Sequence, residues 1–498
     1  MKMLKTMSML LVLVFVISAC GTVNDPAVNH ETSENKGEES VKPVTIRVLH
    51  HRTTNFPEEN PVRSEIIKRT GINFEAITVD AAELQNQLNV MIASNSLPDI
   101  IAFNSYQLEE LIDNDVIIPL DQLLEQYGQE ILDNKGEYLG NRATQDGQIY
   151  ALPMGHGYPS MLALRKDWLD RAGLQVPTTI DEYYEVLKAF TKGDPDKSGK
   201  DNTFGLGATL ENMNTFQHIF SAFGVTYDRP QMIDGQLKPY ILQPGYLDAV
   251  KFINKLYAEG VLDPDFATIP QMQAFERLWN GNVGAFDFSP VGTSNNWLSR
   301  YTEPQPEWVF PIIAGPEGQG GPLRVIRDNG MFYAITKSSK NPEEAMKLLN
   351  FLNSEEGDRL TYLGIEGVHY NMVNDSVEYI APYDDATQHR NEGAFAYYAI
   401  SYRIGGMEDK MLNQVTQAAI KLGNEKAVAD DMIYGQPAVE KELGSVLRNL
   451  ELEIFATLAV SKGDLDKEYE AFVKKYMDAG GQRWVEEATE IYHQEHAK

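Results

Sequence analysis

Oxygen-bearing residues recur at every second position of the segment 194–202 (DPDKSGKDN). With glycine at the sixth position, this spacing is typical of a calcium loop of the EF-hand kind. The segment departs from the full pattern, because Ser198 stands where Asn or Asp is usual and Asn202 replaces an acidic ligand. Position twelve is Gly205 instead of a bidentate glutamate. Fewer charged ligands mean lower affinity, so an occupied calcium site and an unoccupied turn both remain open.

Motifs for catalysis are absent from the sequence. There is no HExxH or GxSxG, and the segment 493–496 (HQEH) has the wrong spacing for a zinc site. The stretch 193–200 fails the P-loop pattern because its glycine comes one residue late. The 72 acidic residues produce many carboxylate pairs by chance, and the sequence does not show the distance between them. A secreted glycoside-degrading enzyme with two buried carboxylates therefore stays open as an alternative function.

The single cysteine lies at the end of an apolar stretch, Met7–Ile17, that follows two lysines. This stretch is too short to span a membrane comfortably, but it has the length of a secretory signal core. Residues 17–20 (ISAC) then have the form of a lipobox, so we expect cleavage before Cys20 and lipidation of its thiol. Residues 1–19 are predicted to be the signal peptide. Residues 20–43, rich in Glu, Asn, Ser and Thr, are predicted to be a flexible tether.

The chain is strongly acidic, with 72 acidic against 43 basic residues and a formal charge of −29. Without the signal and tether, 67 acids and 39 bases leave −28, so the acidity belongs to the folded body. Binding to nucleic acid needs clustered positive charge, which makes nucleic acid an unlikely class of partner. A net negative charge of this size favours solubility and, slightly, neutral over acidic ligands.

Strands and helices alternate from residue 44 onward. The pattern predicts strands over Val44–Leu49 and Ile72–Val79, and a short apolar strand that ends at Phe103. Such alternation indicates parallel βαβ units, in which ligands lie beyond the carboxyl ends of the strands. Arg52 and Asn104 follow two of these strands. Near the end of the chain, periodicity predicts a helix with Leu447, Leu450, Ile454 and Phe455 on one face.

Seven short motifs follow one another along the chain: LPDII (97–101), IYALP (149–153), RKDWL (165–169), DPD (194–196), LYAEG (256–260), PEEAMK (342–347) and GIEGVHY (364–370). Their order behind a lipobox resembles that of the extracellular solute-binding proteins of ABC importers, family 1, and specifically the LipO-type carbohydrate-binding lipoproteins of Gram-positive bacteria.

The resemblance implies an α/β, two-lobed type II periplasmic-binding-protein fold, in which each lobe is a sheet flanked by helices and the cleft lies between the lobes. We place the first lobe at residues 44–157 plus 329–370 and the second at 158–328 plus 371–498. The implied protein is a monomer on the outer face of the cell membrane. It captures a carbohydrate, expected to be an oligosaccharide, by hinge closure and delivers it to permease subunits, without enzymatic activity or an organic cofactor. A peptide-binding or sensor protein of the same fold remains an alternative.

A sugar site needs flat apolar surfaces for the ring faces and fixed polar groups for the hydroxyls. Trp297 lies where related binding proteins carry a stacking tryptophan. The other candidates are Tyr370 and Tyr397 among the aromatic residues, and Arg52, Asn104, His156, Asp328 and Asn329 among the polar ones. Core packing is the alternative for the aromatic residues, as turn formation is for the polar ones. Trp168 and Trp279 are predicted to lie in the core.

The resemblance also bears on the loop at 194–202. It implies that calcium there is structural, with the ligands Asp194, Asp196, Ser198, the carbonyl of Lys200, and Asn202.

Overall fold

The computed structural model describes residues 44–52, 57–80, 83–104, 107–136, 139, 143–145, 147–154, 158–290, 301–302, 305–323, 331–374, 376–401, 403–428, 431–433 and 435–496. All of them belong to one compact unit, 43–498.

The secondary structure alternates strands and helices before it ends in helices. The strands are β1 (Thr45–Arg52), β2 (Asn73–Asp80), β3 (Ile100–Asn104), β4 (Thr144–Gln145), β5 (Gln148–Ile149), β6 (Leu152–Pro153), β7 (Met161–Arg165), β8 (Phe204–Leu206), β9 (Gln231–Ile233), β10 (Gln236–Lys238), β11 (Val283–Phe288), β12 (Trp308–Val309), β13 (Met331–Ile335), β14 (Tyr370–Val373) and β15 (Ser376–Tyr379). The helices are α1 (Pro61–Thr70), α2 (Leu84–Ala93), α3 (Leu108–Asp113), α4 (Asp121–Tyr127), α5 (Gln129–Lys135), α6 (Lys166–Ala172), α7 (Ile180–Lys192), α8 (Gln217–Ala222), α9 (Tyr246–Ala258), α10 (Gln271–Trp279), α11 (Pro342–Leu352), α12 (Glu355–Leu363), α13 (Ala386–Asn391), α14 (Tyr398–Ser401), α15 (Met407–Lys410), α16 (Gln414–Glu425), α17 (Ala438–Val460), α18 (Leu465–Tyr476) and α19 (Gln482–His496).

The first sheet has five strands in the order β2-β1-β3-β13-β6. Strands β1, β2 and β3 are parallel, whereas β13 runs antiparallel to both of its neighbours. The residues from Ile100 to Phe103 are all buried, as expected for a central strand that is covered on both faces. The carboxyl ends of β1, β2, β3 and β6 therefore lie along one edge of this sheet.

Strand β1 is longer than the sequence predicts. The prediction ended it at Leu49, but the strand continues to Arg52, because β2 pairs with it in register as far as Arg52↔Asp80. The polar His50 is tolerated inside the sheet because both of its ring nitrogens find partners, the carbonyl of His51 at 3.0 Å and the hydroxyl of Thr78 at 3.3 Å. Burial lowers the pKa of His50 to about 4, so its ring is neutral near pH 7.

The second sheet has four strands in the order β12-β7-β11-β8. Its central strand β11 is buried at every position, runs antiparallel to β7 and is parallel to β8. Helix α7 packs beside it and begins with a capping box between Thr179 and Glu182. Trp168 is fully buried and contacts Phe190 edge to face, and Trp279 is 8% exposed, as predicted for core residues.

Two large hydrophobic cores form on the two sheets. The residues of the first core fall within 46–154, 332–360 and 396–400, and those of the second within 162–323 and 447–476. Among the described residues, the chain thus passes between the cores in the intervals 154–162, 323–332 and 400–447. The predicted apolar face of α17 is confirmed, since Leu447, Leu450, Ile454 and Phe455 all lie in the second core.

Candidate functional site

Polar residues mark the carboxyl edge of the first sheet. Arg52 ends β1, Asp80 ends the neighbouring β2, and Asn104 ends β3 on the other side of β1. The backbone N–H of Asn104 donates to the side-chain oxygen of Gln107 at 3.2 Å. Neighbouring strands lie about 4.8 Å apart, so the three ends span roughly 10 Å. The structure thus brings the predicted residues Arg52 and Asn104 to one edge.

Several predicted residues lie outside the described residues, namely Cys20, His156, Trp297, Asp328 and Asn329. Met154, two residues before His156, and Met331, two residues after Asn329, lie at the same edge of the first sheet. Met331 pairs with Asn104, and the backbone N–H of Met154 donates to the carbonyl of Met331 at 3.1 Å.

The second sheet presents its own edge close to this one. Strand β7 begins at Met161, which pairs with Phe288 at the carboxyl end of β11. Ser289 follows β11 with a buried hydroxyl that has no hydrogen-bond partner among the described residues. From Met154 to Ser160 the chain advances six residues, which bridge at most about 20 Å. The two sheet edges are therefore neighbours, and the space between them is the candidate ligand site.

The passage from Met154 to Ser160 is a crossover between the two sheets, and a hydrogen-bonded cluster holds its end next to the second sheet. The hydroxyl of Tyr158 donates to Asp409 at 2.7 Å and to Glu408 at 3.3 Å. Glu408 also accepts a hydrogen bond from Tyr398. Burial raises the pKa of Glu408, even though these hydroxyl donors favour its ionised form. The crossover is thereby tied to Tyr398, Glu408 and Asp409, at the start of the last passage between the cores.

The predicted tyrosines do not join Arg52 and Asn104. Tyr397 is fully buried in the first core, where its hydroxyl accepts a hydrogen bond from the side-chain amide of Asn60 at 3.1 Å. Tyr370 is 1% exposed and borders a cavity of about 330 Å³ beside Arg69, at the amino ends of the strands. Both rings pack into cores in this structure, and their ligand-binding roles stay predictions.

The loop at 194–202 gathers the side chains that the sequence indicated. Both carboxylate oxygens of Asp194 accept from the backbone N–H of Gly199, at 3.2 and 3.1 Å. The backbone N–H of Ser198 donates to the Asp196 carboxylate at 3.1 Å, and the Ser198 hydroxyl donates to the side-chain oxygen Oδ1 of Asn202 at 2.9 Å. Burial raises the pKa of Asp196, but hydrogen bonds from Ser198 and other loop residues outweigh it and leave that pKa lowered. A lowered pKa keeps the carboxylate ionised.

This donor set fits a weak oxygen site. Beside its two carboxylates, it offers one hydroxyl, one amide oxygen and the carbonyl of Lys200. The described part of the chain contains no group of three or more His, Cys, Asp or Glu side chains that could hold a metal ion. Position twelve cannot supply the missing carboxylate, because Gly205 lies in β8 against helix α7. A Cβ there would overlap the carbonyl oxygen of Leu187 and lie 2.9 Å from its carbonyl carbon.

A buried Asp–His–Tyr relay is the described constellation that most resembles catalytic machinery. His218 contacts Asp287 through one ring nitrogen and the hydroxyl of Tyr183 through the other, both at 3.0 Å. Asp287 also accepts from the backbone N–H of His218, and so caps α8. Asp287 is 1% exposed, and the adjoining cavity of about 10 Å³ has room for roughly one water molecule. A sugar does not fit there, so the relay is structural.

A larger cavity, which we call the α17 pocket, was missed by the sequence interpretation. It measures about 860 Å³ and is bordered by Gln85 of α2 and by second-core residues, among them Tyr240, Arg448, Glu451 and Trp484. One sequence signal could have revealed it: Glu451 lies four residues after Leu447 and three before Ile454, within the apolar stripe of α17. An acidic residue in such a stripe indicates a polar site in or beside the core.

Glu451 has the most strongly perturbed carboxyl of the α17 pocket. Its side chain is 12% exposed and accepts hydrogen bonds from Arg448 at 3.4 Å and from Tyr476 at 3.2 Å. Burial raises the pKa of Glu451 to about 7, although the Arg448 guanidinium acts in the opposite direction. The carboxyl is therefore partly protonated near neutral pH and can both donate and accept hydrogen bonds.

Two α/β sheets whose edges meet at a crossover are typical of proteins that bind a ligand between two lobes, and comparison with known families agrees with this class. The profile of the bacterial extracellular solute-binding protein family matches residues 57–359, and the chain belongs to this family. The predicted family and its two-lobed α/β fold class are thereby confirmed.

Individual relatives extend the match over most of the chain. The polygalacturonan/rhamnogalacturonan-binding protein YtcQ of Bacillus subtilis is 25% identical over 474 residues, 91% of this chain and 92% of its own. The lipoprotein LipO of the same species is 23% identical over 485 residues, 93% and 95% of the two chains. A solved structure, the ABC-transporter substrate binding protein FusA of Streptococcus pneumoniae as an EF-hand mutant in complex with fructo-nystose, is 20% identical with a TM-score of 0.65, covering 91% of this chain and 99% of that chain. Among the described residues, no helix has the length and apolar character that a membrane span requires.

The raised pKa of Glu451 predicts that the free energy of unfolding depends on pH. Between pH 4.5 and pH 7 the folded protein retains a proton on Glu451 that the unfolded chain has released, so stability falls as the pH rises. Replacing Glu451 by Gln removes this loss. From pH 5 to pH 8, we expect the free energy of unfolding of the wild type to fall by about 2 to 3 kcal/mol relative to Glu451→Gln. Chemical denaturation at several pH values measures this difference.

The matched control is Glu453→Gln, on the same helix, where the side chain is 49% exposed and pairs with Lys475. This variant should change in parallel with the wild type over the same pH range. A constant difference between the wild type and Glu451→Gln at every pH would contradict the shift.

Proposed function

We propose that the protein is the lipid-anchored extracellular binding protein of an ABC importer, and that it captures an oligosaccharide by closing its two lobes. The supporting observation is the meeting of two sheet edges, one carrying Arg52, Asp80 and Asn104 and the other Ser289, within a six-residue crossover. Ligands of open α/β sheets bind at such edges. The chain performs no chemistry in this proposal, and it hands the ligand to permease subunits.

The class of ligand follows from the relatives and from the charge of the body. YtcQ is described as binding polygalacturonan and rhamnogalacturonan, whereas the FusA structure contains fructo-nystose, so the family accommodates acidic and neutral chains. The net charge of −28 on residues 44–498 opposes the approach of polyanions. We therefore infer a preference for neutral oligosaccharides.

A thermal-shift screen tests the proposal with fructo-oligosaccharides, malto-oligosaccharides and oligogalacturonates. A ligand that binds only the folded state stabilises it by roughly 2.7 kcal/mol at one hundred times its Kd, so a bound sugar should raise the Tm by several degrees. The sugar should be recovered intact by chromatography. Cleavage by the pure protein would show that the protein is an enzyme, and an unchanged Tm with all three series would contradict a sugar ligand.

Lobe closure is measured with the sugar that gives the largest shift. Small-angle scattering should show a smaller radius of gyration when the ligand is present at saturation. An unchanged scattering profile would contradict hinge closure while leaving sugar binding intact. The lobe boundaries stay a prediction. Ala396, Tyr397 and Ile400 pack in the first core, which supports assigning residues 396–400 to the first lobe and not to the second, where the sequence placed them.

We also propose that calcium binds weakly at the loop 194–202 and stabilises the second lobe. Calcium should raise the Tm of the wild type at millimolar concentration, the range expected for a site with few charged ligands. Replacing both Asp194 and Asp196 by Asn should abolish this increase. The control is Asp201→Asn, which removes one negative charge from position eight of the same loop and should retain the increase in Tm. An equal response of both variants would exclude the loop as the site.

The lipid anchor is proposed at Cys20. In the source bacterium the wild-type protein should partition into the detergent phase of Triton X-114, because acyl chains add about 0.8 kcal/mol of membrane affinity per buried methylene. Cys20→Ala lacks the thiol that is acylated and should remain in the aqueous phase. Mass spectrometry of the amino-terminal peptide provides the second readout. Equal partitioning of the two proteins would contradict the anchor.

A further inference from the structure

The α17 pocket lies at one end of the row of strand ends. Gln85, which borders it, is the second residue of α2 and follows the end of β2 at Asp80 by five residues. Strand β2 is the edge strand of the first sheet, next to β1 with Arg52 at its end. A ligand chain lying across the ends of β3 and β1 would therefore reach the α17 pocket as it passes β2.

The size of the pocket suits an organic ligand. Its volume of about 860 Å³ falls within the range of roughly 300 to 1,000 Å³ that is typical of small-molecule sites. Its lining comes from both lobes, because Gln85 belongs to the first and the remaining residues to the second. A ligand held there would contact both lobes at once.

Tyr240, which borders the pocket, has a buried hydroxyl group without a partner among the described residues. The residue is 2% exposed. Burial, with a smaller contribution from Glu451, raises the pKa of Tyr240 well above its ordinary value, so the hydroxyl keeps its proton. Leaving a buried hydroxyl unpaired costs about 1 to 3 kcal/mol, which a ligand hydroxyl in the pocket would offset.

The charged side chains that line the α17 pocket disfavour an anionic ligand. The Arg448 guanidinium already pairs with Asp228 and Glu451. Over the whole lining, four carboxylates (Asp228, Glu440, Glu442 and Glu451) face three cationic side chains (Arg229, Lys441 and Arg448). Such a surface offers hydrogen-bond acceptors to hydroxyl groups but no excess of positive charge for a uronate.

An aromatic wall completes the site. The indole N–H of Trp484 donates to Glu440 at 3.0 Å, which fixes the orientation of the ring, and Trp484 is only partly buried. The C–H face of a sugar ring packs favourably against such a surface. The pocket thus combines an aromatic surface and carboxylate acceptors with the buried, unpartnered hydroxyl of Tyr240 at its border.

We propose that the α17 pocket is a distal subsite that binds a neutral sugar unit of an oligosaccharide whose other units lie along the strand ends. A hydroxyl of this unit accepts a hydrogen bond from Tyr240 Oη, and its ring lies against Trp484. The inference rests on the proposed function, and it specifies that the ligand is a chain long enough to reach from the sheet edge to the pocket.

The test is Tyr240→Phe, which removes only the unpaired hydroxyl and is expected to keep the Tm of the free protein unchanged or slightly higher. Calorimetric titration uses fructo-oligosaccharides, malto-oligosaccharides and oligogalacturonates of increasing length. With a neutral series, the wild type should gain affinity once the chain reaches the pocket. Tyr240→Phe should lose about fivefold to tenfold at those lengths and nothing at shorter ones.

The matched control is Tyr246→Phe. Tyr246 lies in the same aromatic cluster, 5.8 Å from Tyr240 between ring centroids, and it is fully buried with a hydroxyl that likewise has no partner among the described residues. It does not line the α17 pocket. This variant should bind every length as the wild type does. Trp484→Ala, a second pocket variant, should show the same length dependence as Tyr240→Phe.

Different results overturn different statements. Equal affinities of Tyr240→Phe and Tyr246→Phe at every length would refute the subsite while leaving the proposed function in place. A loss of the same size at all lengths would show that the pocket holds the first unit bound and not a distal one. A length-dependent loss confined to oligogalacturonates would refute the assignment to a neutral sugar. Failure of the wild type to bind any of the three series would refute the proposed function, and this inference with it.

Discussion

The rest of the structure depends on the pairing of β13 with β3. Five residue pairs, from Met331↔Asn104 to Ile335↔Ile100, insert a strand that arrives from the second core into a sheet whose other strands come from residues 45–153. Because β13 lies between β3 and β6, the first sheet is complete only after the chain has passed through the second core. Two crossovers are thereby fixed beside each other at the sheet edge that carries Arg52 and Asn104.

Two clusters of buried polar groups adjoin the second core, one at the His218–Asp287–Tyr183 relay and one at the α17 pocket. In the His218–Asp287–Tyr183 relay, both ring nitrogens of the histidine have partners, whereas Oδ1 of Asp287 has none among the described residues. In the α17 pocket, the Tyr240 hydroxyl likewise has no partner among the described residues, and Glu451 has a raised pKa. Buried polar groups are normally satisfied in folded proteins. The space beside the two clusters differs, because the cavity at the relay measures about 10 Å³ whereas the α17 pocket measures about 860 Å³ and has room for another molecule.

Much of the fold could be predicted from local pattern. The apolar face of α17, the capped helix α7 and the buried Trp168 each follow from periodicity or from capping residues within one segment. The order of the motifs identified the family. The end of β1 could not be predicted, because His50 is polar and its place in the sheet depends on Thr78, 28 residues away.

Less of the candidate site could be predicted from the sequence, because its contacts also join residues that are far apart in the chain. Arg52 and Asn104 could be identified, since both follow strands whose carboxyl ends meet at one edge. Tyr397 is a predicted ligand contact on residue type alone, and its packing against Asn60 and Phe74, more than 300 residues earlier in the chain, could not be predicted from local sequence. The α17 pocket joins Gln85 to residues beyond 227, a distance in sequence that no local pattern encodes.

The packing of Gly205 limits how the loop 194–202 can evolve toward the full EF-hand pattern. A glutamate at this twelfth position would complete the EF-hand pattern, yet any side chain there collides with the backbone of α7 at Leu187. Gaining that ligand would require β8 and α7 to separate as well as a codon change. Under the proposed calcium role, the loop could gain charged ligands through acidic substitutions at positions 198 and 202, which require no such separation.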